Sequence, residues 1–389
     1  MEQKTLQKFL FLNFLIMSVF NFAHPVTPRL INELKLPSYM FGLFFALMSA
    51  GSYIFSPIWG SLSDYKGRKK FLMLGVLGYG LAQLGFGLSQ SALMISIFRV
   101  LGGILSVSYV AVVMACISDL SSAKGRAKSL AYLAATTSMG AAAGSNIGGW
   151  LGATHYQNSF IVQFICCILL TLVLFFLTDD TLAHKKEGKT TLSLSHLTFK
   201  KSNIEFTPML TSLILTVALM NITTTAYNST IGYFVESDLK LPTQLNGLIL
   251  SVVPVCAVLG NFFINPRLAK KYDEFKTLIV VVGLTALSLL IWSCTSNLVI
   301  TGLCLITFFI AMPLAQPIYQ SMISKQAKNN AGEIMGIQNS SRSVGMVIGS
   351  LSAGFLYDLG SKFPFFMGSL TALIACFILL LQYHRSKRH

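Results

Sequence analysis

Charge is what this sequence is shortest of. Only 11% of its 389 residues are Asp, Glu, Lys or Arg, against about 25% in a soluble domain. With 53% hydrophobic residues and a mean hydropathy of +0.66, this excludes a soluble globular enzyme. Acids are scarcer than bases, 14 against 29, and each acid falls in a loop or at a helix end. Strands of alternating polarity are missing too. Uninterrupted apolar runs of about 20 residues stand in their place, which excludes a β-barrel. No Gly-x-x-x-x-Gly-Lys-[Ser/Thr] stretch is present, so ATP is not the energy source. No nucleophile–base–orienter set and no metal-ligand spacing occurs, so neither catalysis, cofactor nor metal is expected. Cys116, Cys166, Cys167, Cys256, Cys294, Cys304 and Cys376 all lie in apolar runs. There they read as small packing residues.

What is present is a series of membrane-length runs. The first six lie at about 9–30, 40–60, 71–88, 91–116, 130–152 and 159–178. The other six lie at about 208–234, 244–264, 277–294, 298–323, 332–357 and 364–382. Between the two sets, 179–206 is polar and long enough for a linker. The first run has no small-residue cleavage site and is expected to be a retained helix rather than a signal peptide. The reading is an all-α membrane protein of twelve helices: a six-helix bundle over 1–178, a linker over 179–206, and a six-helix bundle over 207–389.

The net charge of +15 invites a nucleic-acid reading, and its placement opposes one. Arg29, Lys35, Lys240 and Lys362 fall on one side of the runs, and Arg99 and Arg342 inside them. The other 23 Lys and Arg fall on the opposite side. Cationic short loops are retained in the cytoplasm, so both termini are expected there.

The most basic of the short loops is Gly60-Ser61-Leu62-Ser63-Asp64-Tyr65-Lys66-Gly67-Arg68-Lys69-Lys70, which is expected to be a tight turn beginning at Gly60 and ending past Gly67. Farther along, Gly140-x-x-x-Gly144-Ser145-x-x-Gly148-Gly149 recurs as Gly345-x-x-x-Gly349-Ser350-x-x-Ala353-Gly354, at equivalent places in the two halves. Glycines four apart let a neighbouring backbone approach, and internal symmetry of this kind marks transporter halves.

The loop resembles the G-x-L-[AS]-D-x-x-G-R-[KR]-x signature of the major facilitator superfamily. Arg99-Val-Leu-Gly-Gly103 is similar to its fourth-helix motif. The Gly140–Gly149 stretch is similar to the G-x-x-x-G-P-x-x-G-G motif of its drug:proton antiporter branch, with Ser145 in place of proline. His24-Pro25-Val26-Thr27-Pro28-Arg29-Leu30 resembles the end of the first helix in that branch. The resemblance implies two bundles related by a pseudo-two-fold axis and alternating-access transport. It assigns Gly60, Asp64, Gly67, Arg68, Asp119 and Arg126 to a conformational switch. It also directs Arg99 toward a central cavity. Many proton-coupled relatives carry a carboxylate inside a helix, and this chain does not.

Ionisable groups inside a bilayer are functional candidates. Arg99, Arg342 and His24 qualify, the last because its ordinary pKa suits proton exchange. The seventh run is too polar for lipid, and Asn221, Thr224, Tyr227 and Asn228 are expected to line a cavity with Asn21, Gln316, Tyr319 and Gln338. Pro313 and Pro317 should bend the tenth run. Gly140, Gly144, Gly148, Gly149, Gly345 and Gly349 are assigned to helix packing.

The expected function is proton-coupled efflux of lipophilic small molecules. The alternative is a carrier of an anionic metabolite or lipid, and a third reading is a membrane receptor without transport. The expected partners are the lipid bilayer, a small-molecule substrate and protons, with no nucleic acid. The expected setting is a monomer in a bacterial plasma membrane.

Overall fold

The computed structural model describes residues 2–122, 125–180, 206–295, 297–326 and 331–386. Most of the 179–206 linker lies outside them, as do Lys124, Lys328, Lys387 and Arg388. Among the described residues every regular element is helical. They are α1 (Glu2–Phe20), α2 (Thr27–Glu33), α3 (Met40–Lys66), α4 (Arg68–Leu88), α5 (Ala92–Asp119), α6 (Arg126–Leu151) and α7 (Tyr156–Leu177). Then come α8 (Pro208–Ser237), α9 (Thr243–Leu259), α10 (Asn265–Lys271), α11 (Glu274–Cys294), α12 (Leu298–Gln326), α13 (Ala331–Leu359) and α14 (Phe363–Ser386). A π-helical turn, Gly260–Ile264, joins α9 to α10.

Nine described helices are long and apolar enough to cross a membrane, and α1, α6 and α13 are not among them. The reason lies in composition. α6 and α13 carry the glycine repeat with its Ser and Thr residues, and α1 begins with charged residues.

Two expectations are corrected. The first run is not one helix. Pro25 and Pro28 remove two amide donors, and the chain winds from 21 to 26 through bonds to the third preceding residue, such as His24 N–H to Asn21 O (3.4 Å) and Thr27 N–H to His24 O (3.4 Å). His24 therefore sits in a turn rather than a helix. Second, Gly60 does not open a turn. No helix breaker separates it from Lys66, and α3 continues through it into the loop. The reversal is confined to Gly67, whose φ of 94° favours glycine. The eighth run is one helical span, Thr243–Lys271, with a π turn at Gly260–Ile264 inside it.

The chain folds as two compact units. One is built on α1, α2, most of α3, α4 to α7 and residues 235–254. The other is built on residues 37–46, most of α8, the end of α9 and α10 to α14. Each has its own apolar core. In the first, Ile16, Leu72, Val76, Val112 and Cys116 are buried together. In the second, Leu213, Leu278, Val282, Ile323 and Leu379 play that part.

Both units use glycine to bring backbones together. A Cβ at Gly140 would lie 2.6 Å from Phe14 O, and Gly144 and Gly148 face Ser18 O and Phe22 O at closer range still. Gly149 meets Thr243 and Gly247 within the same unit. In the other unit a Cβ at Gly349 would lie 2.6 Å from Ile222 O, and Gly345 faces Ala218 O. The first unit adds a buried polar clamp. Asn13 Nδ2 donates to Thr136 Oγ1 (3.0 Å) and Thr137 Oγ1 (2.9 Å), and Tyr109 Oη donates to Asn13 Oδ1 (3.2 Å). Buried polar groups satisfied in this way fix which faces meet.

Candidate functional site

The expected switch residues converge at the basic end of the first unit. Gly67 turns the chain so that α4 starts with Arg68, and the guanidinium points back across α3 and α5. Its Nη1 donates to Asp64 Oδ1 (2.5 Å) and Ser63 Oγ (2.7 Å), and its Nε donates to Asp119 Oδ2 (3.1 Å). Its backbone N–H donates to Asp180 Oδ1 (2.9 Å). The Arg68 side chain is only 8% exposed, while Asp64 and Asp119 are 28% and 27% exposed. The guanidinium thus ties α3 to α5 through two acids, and the backbone amide of the same residue holds Asp180, just past the end of α7. Arg126 is exposed at the start of α6. Gly60 has open space beside its Cα, so its place in the cluster is through its carbonyl, which accepts from Ser63 Oγ (2.7 Å).

Deeper in the same unit, Arg99 is 3% exposed. Its Nη1 faces Gln83 Oε1 at 3.5 Å and Met48 Sδ at 3.7 Å, and its Nη2 faces Thr27 Oγ1 at 3.4 Å. These are long contacts for a guanidinium. Its Nε has no partner, and among the described residues no carboxylate lies within ion-pair distance. The plane lies 3.9 Å from the Phe86 ring centroid, which supplies cation–π attraction in place of a counter-ion. Gln83 is held by its own bond to Tyr79 Oη (2.6 Å), and Tyr79 donates to Phe20 O (3.1 Å). His24 is half-buried in the turn between α1 and α2. Asn21, expected in a cavity, turns its amide to Met17 O (2.7 Å) and is half-buried.

In the second unit the polar run on α8 divides. Asn221, Thr224 and Asn228 are half-buried, and their spacing of three and four places them on one helix face. Thr223 is turned the other way: its hydroxyl contacts Gly368 O (2.9 Å) and Thr371 Oγ1 (2.9 Å) and fastens α8 to α14. Tyr319 on α12 is 5% exposed, and the Asn221 amide donates to Val217 O (2.7 Å). Gln316 and Arg342 are exposed, and Gln338 is buried with Oε1 unpartnered. Tyr227 is a correction. It is 1% exposed, with Phe308 at 4.7 Å and Phe309, Phe365 and Trp292 around it. Its ring is part of an aromatic core and does not line an open wall.

Two further residues escape the motif reading. Glu274 begins α11 and Lys325 ends α12, and they pair at 2.6 Å. Arg68 and Asp119 are 51 residues apart, and so are Glu274 and Lys325. The shared separation was available in the sequence, but the reversed sign hides it from a search for the same letters.

Comparison with known proteins places these features in a family. The family model for the Major Facilitator Superfamily matches residues 9–350. Multidrug resistance protein 1 of Bacillus subtilis is 27% identical over 354 residues, covering 90% of this chain and 89% of that protein. Quinolone resistance protein NorA of Staphylococcus aureus is 23% identical over 387 residues, covering 96% and 95%. Among solved structures, the human organic anion transporter MFSD10 (TETRAN) matches with TM-score 0.69 at 16% identity, over 97% of this chain and 99% of that one. A peptide transporter, POT, in complex with sulfate matches with TM-score 0.79 at 12% identity, over 98% and 94%.

Proposed function

Since the chain belongs to the Major Facilitator Superfamily and is a multi-pass membrane transporter rather than an enzyme, we propose that it exports lipophilic small molecules by alternating access, driven by protons, and that it carries neutral and anionic compounds better than permanent cations. Its similarity to multidrug and quinolone resistance proteins supports export of lipophiles. The selectivity rests on one observation, the buried Arg99 without a carboxylate beside it. A cation binding there would meet like charge at low dielectric, whereas an anion would supply the missing counter-ion. Arg342, exposed on α13, adds a second cation on the other unit.

On this reading two six-helix bundles, 1–178 and 207–389, rock about the substrate in the plasma membrane of a monomer whose termini are cytoplasmic. The Arg68 cluster is the switch: its ion pairs must loosen for α3, α4 and α5 to shift, and their re-formation defines one end state. Proton exchange runs through His24, through Asp64 or Asp119, or with the substrate itself. Arg99 holds its proton throughout and acts by its field.

The test is a growth-inhibition panel of toxic lipophiles, matched in size and differing in charge, with and without the gene expressed. Protection against neutral and anionic members is expected. Protection against none refutes export, and protection confined to permanent cations refutes the selectivity. A carrier of an anionic metabolite or lipid is the second reading, favoured by the same uncompensated Arg99.

A further inference from the structure

The second unit holds a half-open cavity apart from the candidate site. It lies at the basic end where α10, α11 and α12 meet and has a volume of about 240 Å³. Its walls are chiefly apolar, with Pro266, Leu268, Pro317 and Ile318 prominent, and Asn265 and Glu274 are among its polar members. The π turn at Gly260–Ile264 ends directly before Asn265. Such turns are rare and are often found where a helix is opened for a purpose.

Asn265 is the informative residue. Its amide Nδ2 donates to Asn261 Oδ1 (2.8 Å) and faces Leu314 O (3.5 Å). Both hydrogens are thereby directed, which leaves Oδ1 as a buried acceptor with no partner. A buried acceptor without a donor is costly, and a donor supplied from outside removes that cost. Glu274 adds charge. Its Oε1 accepts from Ser321 Oγ (3.2 Å) and its Oε2 from Lys325 Nζ (2.6 Å). Lys325 is 64% exposed, so its ammonium is well solvated and readily exchanged for another.

An apolar slot, an orphan acceptor and a carboxylate with a replaceable partner together select one chemistry. We propose that this cavity binds a lipophilic primary amine, with its apolar stem against Leu268 and Ile318 and its ammonium donating to Asn265 Oδ1 and paired with Glu274. A permanent quaternary cation lacks the donor, and a carboxylate would meet Glu274. The volume falls below the range of about 300–1,000 Å³ usual for drug-sized ligands, so the stem is slender. The same ammonium is carried by a free alkylamine and by an aminophospholipid headgroup. The proposal is independent of the export reading.

The probe is n-octylamine, titrated calorimetrically into the purified full-length chain in detergent, with n-octanol and octanoate as controls. Saturable octylamine binding at least about tenfold tighter than either control is expected. Asn265→Leu and Glu274→Gln should each weaken it about tenfold, and Leu268→Trp, which fills the slot, should abolish it. All three variants should elute as the wild type does on size exclusion. Octanol binding as well as octylamine, or octylamine binding Leu268→Trp at wild-type affinity, overturns the proposal. Repeating the titration in vesicles of phosphatidylcholine with and without phosphatidylethanolamine names the source. Weaker binding in the vesicles that contain phosphatidylethanolamine supports a lipid occupant, and equal binding supports a soluble amine. Export measured on the same preparations stands apart, because amine binding without any export refutes only the export reading.

Discussion

Arg68 on α4 pairs with Asp119 on α5, and Glu274 on α11 pairs with Lys325 on α12. The position in each half is the same and the sign is opposite. What differs is burial and company. Arg68 is 8% exposed and also holds Asp64, Ser63 and, through its backbone, Asp180. Lys325 is largely in solvent. The comparison teaches that the repeat preserves where two helix ends meet while leaving the charge and its strength free to change. A desolvated cation among several acids resists separation, since any one loss strands the others. An exposed pair is screened and contributes little. The switch is therefore expected to reside in the first half, with the second-half pair left available for exchange.

The glycine contacts give the other side of the comparison, because here the halves agree. Gly144 against Ser18 O matches Gly349 against Ile222 O. Leucine at either position should therefore have the largest effect of all, a loss of about 3 kcal/mol or more from overpacking against backbone, read as the yield of monodisperse protein. Tolerance in one half alone would break the symmetry of packing.

Next in size is Arg68→Gln. It leaves Asp64 and Asp119 without their shared cation and should cost about 2–4 kcal/mol, with export lost and altered cysteine accessibility on both membrane faces. Wild-type export in this variant would reduce the cluster to a membrane anchor.

Exchanging the partners sharpens the contrast. Glu274→Lys with Lys325→Glu should fold and export within about 1 kcal/mol of wild type, since that pair is screened. Arg68→Asp with Asp119→Arg should fail, because Asp64 still requires a cation at position 68. The smallest effect is expected from Glu274→Gln alone, about 0–1 kcal/mol in thermal stability. A larger loss would mean that the second-half pair also carries the switch.

Much of this could be read from the chain. The apolar runs marked the membrane helices, and the loop letters held the Asp64–Arg68 ion pair. The glycine repeat gave the packing of α6 and α13 before any coordinates. Other features depended on tertiary contacts that no local pattern encodes. Tyr227 reads as polar beside Asn228, yet four aromatic rings from α11, α12 and α14 enclose it. Thr223, in the same polar run, fastens α8 to α14. Asp180 reads as the start of a linker, and only the fold brings it to the Arg68 amide. The π turn has no sequence signal beyond the proline that follows it.

The most direct measurement is transport in proteoliposomes of three lipophiles matched in size, one neutral, one anionic and one a permanent monovalent cation, by the wild type, Arg99→Gln, Arg342→Gln and His24→Ala. The neutral and anionic compounds should be carried faster than the cation, and Arg99→Gln should slow the anion selectively, by about tenfold. Robust electrogenic exchange of the cation against protons, unchanged in all three variants, would contradict an anion-favouring site and make this an ordinary cationic-drug antiporter.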